Sequence, residues 1–305
     1  MVDASACAEA SASAHEQALV SIGDAYAACE RLARKHYENF TVLSWLTPRS
    51  LRCHRAAIYA YCRTVDDLGD EAPGDRLSLL DRFEEELDEA MAGRGRGPVF
   101  AALSETIARF DLPREPLAQL IEANRMDQRT SRYETIADLT RYCEHSANPV
   151  GRVVLMLHGY RDSERFALSD ATCTALQLAN FWQDVARDHA AGRIYLPQEE
   201  MADFGVTEQQ LAGSEAGEQL RSLIRFQVER TEVMFKHGLP LIDRVFGRLR
   251  VELALFSRGG LAILDAIRAQ DYDTLGVRPT ISPPQKRRLV LSTTLGILLG
   301  RRAWI

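Results

Sequence analysis

Four polar side chains recur at helical spacing within the stretch Gln177-Leu-Ala-Asn180-Phe-Trp182-Gln183-Asp184-Val-Ala-Arg187-Asp188. Gln177, Asn180, Asp184 and Asp188 stand three, four and four residues apart. On a helix they share one row, and Leu178, Phe181, Trp182 and Val185 lie off it, facing packing partners. A helix with so apolar a frame is expected to be buried. Two carboxylates one turn apart repel each other there unless something binds them. That demand constrains the fold more than any other feature. Oxygen donors of this kind suit a hard divalent cation, Mg2+ above all.

A second stretch answers the first. In Tyr59-Ala-Tyr61-Cys62-Arg63-Thr-Val-Asp66-Asp67-Leu-Gly-Asp70-Glu71, Asp66 and Asp70 are four apart, as are Asp67 and Glu71, and Arg63 precedes Asp67 by one turn. Taken alone, an acidic run on a helix reads as a solvated face. Two such runs, each in an apolar frame, are expected to face each other across a bundle and to hold cations that in turn hold a diphosphate. The chemistry this suits is ionisation of an allylic or cyclopropylcarbinyl diphosphate.

The remaining pattern is helical throughout. Ala/Ser-rich residues 1–20 read as a flexible segment, and 21–305 as one all-α domain. Helices are predicted from Gly23 to Tyr37, Leu51 to Asp70, Arg76 to Ala92 behind an Asp75 cap, Val99 to Phe110, Glu115 to Arg125 and Ile136 to Glu144, and again after Pro149. Ser169-Asp170 is predicted to cap the central helix. Further helices are expected after Pro197, from Glu218 to His237, from Leu239 to Phe246 and from Leu249 to Ala269. Alternating strand patterns are absent.

Composition narrows the partners. Formal net charge is −6, with 26% charged residues and no basic stripe interleaved with aromatics, which argues against nucleic acid. The six cysteines form no C-x-x-C pair and read as reduced thiols, in keeping with a cytoplasmic protein. No signal peptide is apparent, and no run of eighteen apolar residues exists. The C-terminal Lys286-Arg287-Arg288, followed by the largely apolar Leu289 to Gly300 and by Arg301-Arg302, reads either as a last packing helix or as a peripheral membrane contact.

From about His36 to Lys286 the chain resembles the squalene/phytoene synthase family. The resemblance rests on Tyr59-x-x-x-Arg63-x-x-Asp66-Asp67-x-x-Asp70 and on Gln177-x-x-Asn180-x-x-x-Asp184-x-x-x-Asp188 followed by Arg193-Ile-Tyr195. Tyr142-Cys143, Gly151, Gly260, Ile263-Leu264 and the stretch Tyr272 to Arg278 add to it. It implies a single-domain isoprenoid-synthase bundle with a central active-site cavity. Two or three Mg2+ ions would be held by Asp66, Asp70, Asp184 and Asp188, with Asp67 and Glu71 as further candidates. Arg63, Gln177, Asn180, Arg193, Tyr195 and Arg278 would contact diphosphate or support the metal shell, and Tyr59 would line the cavity.

Departures from the family pattern are informative. Members that join two prenyl diphosphates carry a tyrosine where this chain has His145, in a Val-Ala-Gly context; here the segment is His145-Ser146-Ala147-Asn148-Pro149-Val150-Gly151. They carry arginine where this chain has Gln183, and a serine- and lysine-containing segment where it has Glu38-Asn39-Phe40. Fewer basic groups leave less positive charge for two diphosphates at once. The strings Ser-Ala-Asn-Pro-Val-Gly and Asn-Phe-Trp-Gln-Asp-Val resemble the family's hopanoid-pathway branch, the hydroxysqualene synthases (HpnC type).

That branch implies ionisation of presqualene diphosphate, capture of the rearranged cation by water, no NADPH, and other enzymes of squalene/hopanoid biosynthesis as neighbours, at the inner face of the membrane or in the cytoplasm. Tyr59, Phe181 and Trp182 are candidate walls for the carbocation, against plain core packing for at least one of the last two. Asn148 and His145 are candidates for placing the water. The competing readings are a turn for Asn148-Pro149 and a helix-end histidine on a backbone partner. Head-to-head coupling, or a non-catalytic relative, are the alternatives.

Overall fold

The computed structural model describes residues 21–35 and 46–299. The expectations for residues 1–20, Cys7, Glu38-Asn39-Phe40, and Arg301 onward lie outside these. Among the described residues the fold is all α. Its helices are α1 (Ile22–Lys35), α2 (Arg52–Asp70), α3 (Arg76–Met91), α4 (Gly97–Phe110), α5 (Arg114–Arg129), α6 (Ile136–Ser146), α7 (Asn148–Leu157) and α8 (Ser163–Gln183). They continue with the short α9 (Val185–Ala190), α10 (Gln198–Asp203) and α11 (Glu208–Leu211), then α12 (Glu218–Gly238), α13 (Gly247–Ala269) and α14 (Pro283–Leu298). The only extended pairing among the described residues is one isolated bridge, Arg132 to Ile194.

Local chemistry accounts for the helix ends. Asp75 caps α3 as predicted, its carboxylate accepting the Ser78 N–H at 3.3 Å. The central helix α8 starts earlier than predicted. Asp162 is its cap, accepting the Arg165 N–H at 3.0 Å. Asp170 lies inside the helix and pairs with Arg152 of α7 at 2.6 Å. Both aspartates suit a cap by type; Asp162 wins because the turn at Gly159, with φ +84°, ends α7 just before it. From Leu239 to Asp243 the chain is 3-10 rather than α, with Pro240 at its start, and α13 begins at Gly247.

Two hydrophobic cores stand behind the two acidic motifs. One gathers Ile58, Tyr61, Val65, Leu80, Leu87, Leu103, Leu117 and Ile121 from α2 to α5. The other gathers Leu178, Trp182, Leu223, Val228, Phe235 and Leu264 from α8, α12 and α13. Burying each leucine or tyrosine contributes about 1.5–3 kcal/mol, so these layers hold α2 and α8 rigidly. Gly260 lets α13 approach α12 and α8 closely: a Cβ there would lie 2.3 Å from the Phe235 ring. A buried Arg55–Glu252 pair, at 2.5 and 2.8 Å, joins α2 to α13.

Candidate active site

The first motif occupies the last turns of α2. Val65 and Gly69 face the core, and Asp66 and Asp70 are exposed on another face. Gly69 is required by a close approach. A Cβ there would lie 2.1 Å from Asn124 Oδ1, and the Gln128 amide donates to the Gly69 carbonyl at 2.9 Å. The Asn124 amide in turn donates to Asp66 Oδ1 at 3.2 Å, which orients that carboxylate. Arg63 pairs with Asp67, and with Glu71 at 3.2 Å. Arg63, Asp67 and Glu71 therefore form a group of their own at the C-terminal end of α2.

The second motif is broken. Helix α8 ends at Gln183, Asp184 adopts φ −108° and ψ 16°, and α9 resumes at Val185. The helical hydrogen bonds nevertheless span the break, Asp184 N–H to Asn180 O and Asp188 N–H to Asp184 O, both 2.9 Å. The row of Asn180, Asp184 and Asp188 thus survives as a kink rather than one straight helix. The segment between α13 and α14 pulls at that point. Arg278 grips Asp184 at 2.5 and 2.8 Å and donates to Gln183 Oε1 at 3.1 Å, while the Gln183 amide donates to the Pro279 carbonyl. Gln183 is buried, so both ends of its amide are used to strap this segment onto the motif.

Arg193 joins the two halves. It follows α9, held by its N–H to the Asp188 carbonyl at 2.8 Å, and reaches across to Asp70 Oδ1 at 2.7 Å. Partial burial, then the neighbouring Asp184 charge, push the Asp188 carboxyl up to about 7. Asp188 receives no side-chain hydrogen bond among the described residues. A carboxylate held in this condition fits a cation, as does the all-oxygen donor set of Asp66, Asp70, Asp184 and Asp188. Among the described residues no three such groups already converge on one point.

An aromatic layer adjoins Arg193. Phe181 stacks on Tyr195 with centroids 3.8 Å apart, and Tyr133 and Tyr142 pack beside them. Phe181, Val185, Asp188, Arg193 and Tyr195 line one small pocket. Trp182 points the other way. It is fully buried, its ring N–H on Thr231 at 2.8 Å, and is core rather than cavity wall. Tyr59 and Gln177 are half-buried and Asn180 is exposed. His145 sits in the last turn of α6 with Nδ1 2.9 Å from the Arg141 carbonyl, and Asn148 is buried, its Oδ1 accepting from Thr174 at 3.0 Å.

Sequence reasoning missed Asn124 and Asp127 and gave Tyr142 no role in the site. The Tyr142 hydroxyl donates to Asp127 Oδ2 at 2.7 Å. Burial raises the Asp127 carboxyl to about 6, against the pull of Tyr142 and Arg193. Asp127 Oδ1 and the Tyr133 hydroxyl are buried with no hydrogen-bond partner among the described residues, the mark of a place that receives a polar ligand or water. A signal did exist: the apolar row Leu117, Leu120, Ile121 of α5 runs at the same spacing into Asn124 and Asp127.

Gly69→Ala is expected to push Asn124 off Asp66. Overpacking of this kind costs about 1–3 kcal/mol, and loss of such a supporting contact lowers activity by about 10–100-fold. Asn124→Ala should reproduce the activity loss with a smaller drop in unfolding midpoint. Urea denaturation and turnover assays on both variants measure the two effects separately.

Two acidic stretches joined by an arginine, in an all-α bundle, are the features that set this chain beside known proteins. The squalene/phytoene synthase profile matches residues 33–291, and the chain belongs to that family of enzymes. It is 31% identical over 291 residues to the 15-cis-phytoene synthase of Synechococcus elongatus, covering 90% of this chain and 92% of that protein. The crystal structure of squalene synthase HpnC from Alicyclobacillus acidocaldarius is similar at 49% identity and TM-score 0.80, over 84% of this chain and 97% of that one. A dehydrosqualene synthase crystallised with ligand matches at 26% identity and TM-score 0.83, over 91% and 98%.

Proposed function

We propose that this enzyme ionises presqualene diphosphate and directs water onto the rearranged cation, giving hydroxysqualene and diphosphate. The observation that carries a diphosphate substrate is Arg193, which stands between the two acidic motifs. The higher identity to the HpnC protein than to the phytoene and dehydrosqualene synthases supports the finer reading. So does Gln183, which ties down the strap where coupling members carry a basic residue.

Asp66, Asp70, Asp184 and Asp188 would hold Mg2+, with Asp67 and Glu71 turned toward Arg63. Bound there, the ion would supply charge neutralisation to a departing diphosphate. The protein's own groups do the rest. Arg193 and Arg278 exchange carboxylate partners for diphosphate oxygens, with Gln177 and Asn180 beside them. The carbon–oxygen bond breaks with its electron pair on the diphosphate. The Phe181–Tyr195 stack offers an aromatic face to the cation, a contact of about 2 kcal/mol when desolvated. Water adds its oxygen and one proton is released. No electrons are gained, so no NADPH is required.

Head-to-head coupling is the second reading. The phytoene synthase relatives favour it. Product analysis separates the two. The enzyme with Mg2+ and no NADPH is given farnesyl or presqualene diphosphate in separate tubes, with EDTA controls. An alcohol formed only from presqualene diphosphate, carrying oxygen from labelled water, is expected. Presqualene diphosphate or hydrocarbon formed from farnesyl diphosphate would overturn this reading in favour of coupling. As a corollary, the enzyme would work in the cytoplasm or at the inner membrane face, alongside other enzymes of squalene/hopanoid formation.

A further inference from the structure

The last helix, α14, is anchored on one face and open on the other. Thr293 is fully buried and accepts from Arg258 of α13 at 2.9 Å. Ile297, one turn on, packs against the cluster of Leu239, Ile242 and Ala254. Leu291, Leu295 and Leu298 fall at i, i+4 and i+7 on a different face, and are 62%, 48% and 74% exposed. Leucines at that spacing are the pattern of a buried stripe, yet nothing in the described fold covers them.

The charge around the stripe selects what does. Arg287 and Arg288 precede Leu291 by four and three residues, so both lie on the same side one turn earlier, next to Lys286. From Thr274 to the end of the chain there are six Lys or Arg and no Asp or Glu, in a protein of formal net charge −6. A second copy would bring the same basic turn, with no acidic residue of this segment to receive it. An anionic lipid surface supplies both an apolar layer for the leucines and negative headgroups for the arginines. No helix among the described residues is long and apolar enough to cross a membrane, so the contact lies in the plane of the interface.

We propose that α14 docks this enzyme on anionic phospholipid bilayers through Leu291, Leu295 and Leu298, with Arg287 and Arg288 on the headgroups. This commits the membrane contact to one face and one lipid charge. It stands apart from the catalytic reading, because the test needs no substrate.

Full-length protein is sedimented with vesicles of phosphatidylcholine alone, or of phosphatidylcholine mixed with phosphatidylglycerol. Pelleting with the mixed vesicles is expected, falling as salt rises, with little on the neutral ones. Arg287→Glu with Arg288→Glu should lower partitioning by about tenfold or more. Leu291→Ser with Leu295→Ser and Leu298→Ser should lower it by at least about tenfold. All these side chains are exposed, so helical circular dichroism and the unfolding midpoint should hold. Wild-type protein left in the supernatant of anionic vesicles overturns the proposal, as do folded variants that pellet like wild type. A dimer in sedimentation velocity that the leucine variant dissolves, without vesicle binding, overturns it in favour of a second copy.

Discussion

Asp184→Ala is expected to reduce diphosphate release by about 100- to 1000-fold, the scale set by removing a group that stabilises charge on a leaving group. Two arginines hold this carboxylate at the kink between α8 and α9, Arg278 through two hydrogen bonds and Arg187 at 3.5 Å. The variant therefore loses a candidate cation ligand and the grip on the strap at once. Arg278→Ala separates the two effects, since it frees the strap and leaves the carboxylate. A stopped-time assay of released diphosphate, with circular dichroism to check folding, reads the outcome. A folded Asp184→Ala protein with full turnover would sink the assignment of the second motif.

Asp188→Asn should make the protein more stable while making it inactive. Partial burial and the Asp184 charge lift the Asp188 carboxyl to about 7, above its ordinary value near 3.9. A carboxyl raised on folding favours the native state while protonated, and that advantage is lost as pH rises through about 7. Above that pH the wild-type site holds two neighbouring negative charges, and asparagine removes one. The gain is on the order of 1–2 kcal/mol after allowance for solvent screening, or roughly 3–6 °C in midpoint. The difference should grow from about pH 4, where the unfolded carboxyl begins to ionise, to a plateau above about 7, and below about pH 4 the two proteins should melt alike. Added Mg2+ should raise the wild-type midpoint at pH 8 and leave the variant where it is. A variant less stable than wild type at pH 8 would contradict this account of Asp188.

What was legible in the chain was what local spacing encodes. The periodicity of α2 and α8, the Asp75 cap, and the burial of Leu178 and Val185 all follow from residues within a turn or two of one another. The two acidic motifs were legible for the same reason. Distance along the chain hid the rest. Arg278 meets Asp184 across 94 positions, and Arg193 meets Asp70 across 123. Spacing alone pairs none of these, and only the family resemblance put Arg278 and Arg193 near the site. Trp182 could not be told from a cavity wall because a helix is apolar on two sides when it is buried on both; the Thr231 hydroxyl that receives its N–H lies on α12, 49 positions on. Tyr142 was legible as part of a motif, and the spacing of α5 points to Asp127, but nothing in the spacing pairs the two across 15 positions.

The arginines gripping the acidic motifs also bear on how the protein comes into being. Arg193 on Asp70, Arg63 on Asp67 and Glu71, and Arg278 on Asp184 act as internal counter-ions. Asp67, Asp70, Glu71 and Asp184 thus enter the folded state already paired with an arginine. Metal-nucleated domains gather their ligands only when the ion arrives, and chelators unfold them. With these pairs in place, closing both cores is expected to need no cation, and an unfolding midpoint unchanged by EDTA would check it. Under the proposed function, supply of Mg2+ would then govern when the enzyme works and have little say in whether it folds.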